Sequence, residues 1–67
     1  MNMQEKMELV IRTLQLRGRA GARDIAGRAG ITNEEAIGTL LELEKRNKVE
    51  QSNGYWWLKV GDSENGK

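Results

Sequence analysis

The chain has 67 residues, with eleven basic and ten acidic side chains for a net charge of +1, and contains no Cys, His, Pro or Phe. That length sets one small domain, which buries only about 60% of the surface its unfolded chain exposes. Zinc sites built on Cys or His, haem and iron–sulfur ligation by those residues, thiol nucleophiles and Ser–His–Asp relays are all excluded, and a pocket able to bury a substrate is not expected at this size.

The expected protein is therefore non-enzymatic, with no catalytic residue, no metal and no cofactor. No run of about 20 apolar residues is present, and the start, Met1 to Lys6, lacks a basic region leading into an apolar one. A soluble, cytoplasmic protein with no membrane partner is expected.

From Met3 to Arg17, the apolar residues Met3, Met7, Val10, Ile11 and Leu14 recur at steps of three and four. That spacing predicts helix 1, closed by Gly18 with a turn through Arg19. Ala22, Ile25, Ala26 and Ala29 keep helical spacing within Ala20 to Gly30, so a short helix 2 is predicted there, ending at Gly30. Thr32-Asn33-Glu34-Glu35 fits a capping box that opens helix 3. This helix runs through Ala36, Leu40 and Leu43 to about Arg46, with Asn47 suited to a left-handed C′ position. Only Gly30 and Ile31 separate helix 2 from that cap, which is a helix-turn-helix signature.

Beyond Asn47 the period changes to two. Lys48 to Gln51 and Tyr55 to Val60 flank Ser52-Asn53-Gly54, and Asn-Gly between such runs predicts a hairpin. A lone hairpin is marginal, so its apolar face must lie on the helices. Trp56, Leu58 and Val60 are assigned to the core, with Tyr55, Trp57 and Lys59 on the other face. Residues 1–60 form the domain, and the polar Gly61 to Lys67 is expected to be a frayed tail.

Three helices, a Gly turn between the second and third, and a terminal hairpin together resemble a winged helix-turn-helix domain, mainly α with a two-stranded wing. Thr32, Ala36, Leu40-Leu41, Leu43-Glu44-Lys45 and Val49 are similar to the third helix and first wing strand of PapI/FaeA fimbrial regulators. Leu16-Arg17-Gly18-Arg19 with Trp56-Trp57 is similar to FeoC-like regulators of ferrous iron uptake, and the whole resembles small prophage winged-helix proteins. The resemblance implies a bacterial or phage transcriptional regulator. FeoC-like proteins carry wing cysteines, whereas this chain has none, so an iron–sulfur role does not carry over. Z-nucleic-acid-binding winged helices fit in outline, but Ile37 and Leu41 stand where their third helix has Asn and Tyr, and that reading is set aside.

Charge is segregated along the chain. Residues 11–30 hold Arg12, Arg17, Arg19, Arg23 and Arg28 against Asp24, while residues 31–50 hold three cations against five carboxylates. A basic lobe of this kind suits phosphates through multidentate Arg contacts, and it equally suits a solvated surface. For double-stranded DNA, Arg17, Arg19, Arg23, Arg28, Lys48 and Lys59 would hold phosphates, while Asn33, Glu34 and Gly38 approach a groove. Helix 3 has no Arg or Lys in its first three turns, and Glu34 and Glu35 equally suit capping.

The alternative function is an adaptor that binds a protein partner through Ile37, Leu41, Tyr55 and Trp57. A competing reading buries Trp57 against the base of helix 1. Gly38 costs about 1 kcal/mol relative to Ala, a cost that close approach by another backbone would explain: DNA, a partner, a second copy or helix 2. A monomer or weak homodimer is expected.

Overall fold

The computed structural model describes residues 1–59. Its elements in chain order are α1 (Met3–Arg17), β1 (Arg19–Gly21), α2 (Ala22–Ala29), α3 (Asn33–Lys45), β2 (Val49–Ser52) and β3 (Tyr55–Leu58). Three helices lie against one face of an antiparallel sheet of order β1-β3-β2, which is the winged helix-turn-helix architecture.

Local chemistry explains where the helices begin and end. The Asn2 side chain accepts from the Glu5 N–H at 2.8 Å, and the Glu5 carboxylate accepts from the Asn2 N–H at 3.2 Å. Thr32 and Glu35 make the same reciprocal pair at 3.0 and 2.9 Å, so both long helices open on a capping box. Gly30 ends α2 at φ 75°, a left-handed conformation open to glycine, and its N–H and that of Ile31 both reach the Ala26 carbonyl. At the end of α3, Asn47 takes φ 63° and the Lys48 N–H returns to the Leu43 carbonyl at 2.9 Å.

The hairpin turn is Asn53-Gly54 with φ of 53° and 82°. Both values being positive, it is the two-residue turn whose twist matches its strands, and it sets the register Ser52 to Tyr55 and Val49 to Leu58.

Val10, Leu14, Ile25, Ala36, Leu40, Leu43 and Val49 form the buried centre. Trp56 and Ala20, opposite each other on β3 and β1, close it from the sheet side. Ile11 and Leu58 are half-buried at its margin. Thr13 and Thr39 are buried too, each hydroxyl donating to the carbonyl four residues back. The expected contribution of Val60 and the tail from Gly61 to Lys67 lie outside the described residues.

One element departs from the expectation. Arg19-Ala20-Gly21 is a strand, not the turn and first residues of helix 2, so α2 starts at Ala22 and the wing becomes one part of a three-stranded sheet. Three residues carry no readable period of their own. They are extended because β3 offers a free edge, where Arg19, Ala20 and Gly21 pair with Trp57, Trp56 and Tyr55.

Candidate nucleic-acid interface

The outward side of α3 follows from its buried side. With Ala36, Thr39, Leu40 and Leu43 turned inward, helical geometry turns Glu34, Gly38, Leu41 and Lys45 directly away from the core. Asn33, Ile37 and Glu44 lie on the flank next to the wing. Glu44 marks that flank, because the Gln51 amide donates to its two carboxylate oxygens at 3.3 and 3.4 Å. Ile37 and Leu41 are 39% and 50% exposed, an apolar area left open by the fold.

Gly38 is open as well. A Cβ built there meets nothing within 4 Å, so the backbone of helix 2 is not what its small size serves. Glu35 turns the other way, to Lys6 on α1 at 3.6 Å, and its hydrogen bond from the Thr32 N–H holds its carboxyl below the ordinary value. Glu34 has no ion-pair partner among the described residues.

The outer face of the sheet is different chemically. Trp56 is buried, so its neighbours Tyr55 and Trp57 point away from the helices. The Arg19 guanidinium lies 4.8 Å from the Trp57 ring centre and 5.7 Å from that of Tyr55, within cation–π range of both. The Trp57 indole N–H donates to Glu50 at 3.1 Å across β2. Trp57 is thus half-covered by Arg19 and Glu50 on the outer face, where the strand alternation assigns it, and the competing reading that buries it against the base of helix 1 is corrected. Lys48 and Lys59 are exposed at the other end of the hairpin, joined by a backbone hydrogen bond of 3.0 Å.

The remaining arginines divide in two. Arg17 and Arg28 donate to opposite oxygens of Asp24 at 3.1 and 2.9 Å. The trio keeps a net charge of +1, and the hydrogen bonds from Arg17, then Arg28, hold the Asp24 carboxyl below its ordinary value. Arg12 and Arg23, like Arg19, Lys48 and Lys59, have no ion-pair partner among the described residues. Near the end of α3, Glu42 takes Arg46 at 2.8 Å and Lys45 at 3.9 Å, and the bond from Arg46 lowers its pKa.

Of the residues predicted for DNA, then, Asn33, Glu34 and Gly38 share the exposed side of α3. Arg19 belongs to β1, Lys48 and Lys59 flank the open end of the hairpin, and Arg17 and Arg28 are joined through Asp24. Sequence reading placed Arg19 by charge alone and missed its stack on Trp57. No signal in the sequence could have found it, because exposed Arg19 and buried Ala20 take their two faces only once β1 pairs with β3.

No family model matches the chain, and the search of curated proteins finds no match. Among solved structures, it is similar to the Zalpha domain of PKZ from Carassius auratus, determined in complex with Z-DNA. The TM-score is 0.82 at 25% identity, covering 85% of this chain and 97% of that one. The likeness brings back the architecture of the one winged-helix group set aside on sequence. The reason for setting it aside stands alongside the shared fold, since Ile37 and Leu41 are exposed apolar side chains on α3.

Among the described residues no helix is long and apolar enough to cross a membrane, and no three His, Cys, Asp or Glu side chains gather as a metal site.

Proposed function

We propose that this chain is a non-enzymatic DNA-binding winged helix that holds a duplex mainly by its backbone, serving as a transcriptional regulator. The observation that carries the reading is the likeness to a domain solved with Z-DNA, which extends over 85% of the chain and so includes helices and wing together. The regulatory role follows the resemblance to PapI/FaeA-type and FeoC-like proteins.

The charges support backbone contact over base reading. Arg19 is held in place by its two rings, so it loses little side-chain freedom on meeting a phosphate. Lys48, Lys59 and Arg23 are unpaired among the described residues and add to it, with Arg17 and Arg28 contributing one net charge. On α3, Asn33 suits adenine and Glu34 suits cytosine, but the Arg–guanine contact that most often reads sequence is missing from its first three turns. Gly38 lets the groove wall approach the helix.

The adaptor reading loses support from the positions of its residues. Tyr55 and Trp57 sit on the outer face of the sheet, Ile37 and Leu41 on α3, and Trp57 is already half-covered by Arg19 and Glu50.

Fluorescence anisotropy on a random-sequence duplex, at about 50 and 200 mM salt, tests the proposal. Affinity should fall with salt by about 0.9 log units per log unit for each phosphate contacted, and Arg19→Ala should take about one contact off that slope. With Ile37 and Leu41 in place of Asn and Tyr, an alternating dC-dG duplex should stay right-handed by circular dichroism when the protein is added. Binding that ignores salt, or none at about 100 µM protein, overturns the reading.

A further inference from the structure

The stripe of α3 that faces away from the core is Glu34, Gly38, Leu41 and Lys45, at steps of four, three and four. That is the spacing by which one helix lays a seam against another. An acid stands at one end, a base at the other, and a glycine and a leucine lie between. In an antiparallel pair of such helices, Glu34 meets Lys45 and Gly38 meets Leu41 about the same midpoint, so a single two-fold axis satisfies all four contacts.

We propose that this stripe is a self-association surface whose occupant is α3 of a second copy of the chain. Each contact then occurs twice, as an isologous interface requires. Leu41, half exposed in the monomer, enters the gap over Gly38 of the second copy, where an added Cβ would meet nothing within 4 Å in the monomer. The helix axes approach more closely there than two large side chains would allow.

The end charges are free to pair. Glu34 has no ion-pair partner among the described residues, and Lys45 is held only at 3.9 Å by Glu42, whose nearer partner is Arg46 at 2.8 Å. The Lys45 side chain is 80% exposed and can swing to its new partner. A phosphate backbone would be repelled at Glu34, and an unrelated protein has no reason to match both ends. A second copy matches them by symmetry.

The stripe is short, about 17 Å along the helix at 1.5 Å per residue. It buries less than the roughly 800 Å² per partner of a standard stable interface, so the dimer is weak and forms at high protein concentration. The association itself does not depend on DNA. Its consequence does rest on the proposed function: the dimer covers Glu34 and Gly38, so a copy paired through α3 cannot offer that helix to a groove.

Sedimentation velocity without DNA, from about 10 µM to 1 mM at about 50 mM salt, reads the association alone. The parent should show a concentration-dependent rise in sedimentation coefficient. Glu34→Lys and Lys45→Glu should each weaken dimerisation by about tenfold or more, because each places like charges at both ends. An equimolar mixture of the two variants should associate again, since Lys at 34 then meets Glu at 45 and the native Glu34 meets the native Lys45. Circular dichroism checks that both variants keep their helix content. A parent that stays monomeric throughout, single variants that associate like the parent, or a mixture that stays monomeric overturns the proposal. Loss of DNA binding would leave this result untouched, so the two proposals fail separately.

Discussion

The outward side of α3 and the outer face of the sheet are two surfaces this fold presents, and they divide the chemistry unexpectedly. The helix that a winged domain would send into a groove carries a carboxylate, a glycine and two apolar residues in its first turns. The sheet carries the guanidinium, stacked on two aromatic rings, with two lysines at the end of its hairpin. The helix is built by neighbours in sequence, while the sheet face joins residues almost forty positions apart, Arg19 with Trp57. Local signals therefore shape the surface with the weaker electrostatic claim on DNA, and tertiary pairing assembles the stronger one.

If that division is right, the sheet face depends on what lies beneath it and the α3 face depends on little. Trp56 is 6% exposed and plugs the core under the sheet beside Ala20 and Val49. Trp56→Ala should cost about 3–5 kcal/mol, a large share of the total for a domain of this size. Leu41→Ala, on the exposed stripe, should change stability by no more than about 0.5 kcal/mol. Urea denaturation followed by helix circular dichroism measures both. Equal midpoints for the two variants would mean that the sheet is not anchored through Trp56.

The same contrast explains how far the fold could be read beforehand. Thr32 with Glu35, Gly30, Asn47 and Asn53-Gly54 each act within a few residues, and each sits where sequence placed it. The Asn2 to Glu5 capping box has the same pattern and was readable, though only helical spacing was used there. β1 was not readable, because three residues next to a glycine become a strand only when β3 is already beside them. The partition of the arginines was half legible. Asp24 to Arg28 is an ordinary i,i+4 pair, but Arg17 reaches Asp24 across the Gly18 turn and β1, so its neutralisation needed the tertiary structure. Gly38 was legible as an anomaly, and the structure removes its intramolecular explanation.

Gly38→Ala sharpens the comparison by a smaller amount. The new methyl group meets no atom within 4 Å, and the position is mid-helix, so the variant should be more stable by about 1 kcal/mol. On the sheet side the sign reverses: Gly54→Ala puts a Cβ at φ 82° in the hairpin turn and should destabilise the fold. Thermal unfolding of the two variants reads the signs directly. A destabilised Gly38→Ala would mean that α3 is not free on that side.

Asp24 lies between the two surfaces in its effect, because it governs how much of the basic lobe is available to either. Its folded pKa lies below the ordinary 3.8, pulled down first by the Arg17 hydrogen bond and then by Arg28. The ion pairs therefore add stability above the unfolded carboxyl's pKa, and that part is lost as pH falls through the folded value. Asp24→Asn should melt slightly below the parent at pH 7, and the gap should close as pH is lowered past 3.8. Glu35 and Glu42 also have lowered pKa values, but they titrate alike in both proteins and cancel from the difference. On DNA the variant should move the other way. Arg17 and Arg28, released from their shared carboxylate, raise the local charge by one and should steepen the salt dependence by about one phosphate contact. A slope equal to the parent's would place both arginines outside the bound footprint and leave the sheet face, led by Arg19, as the principal source of the electrostatic attraction.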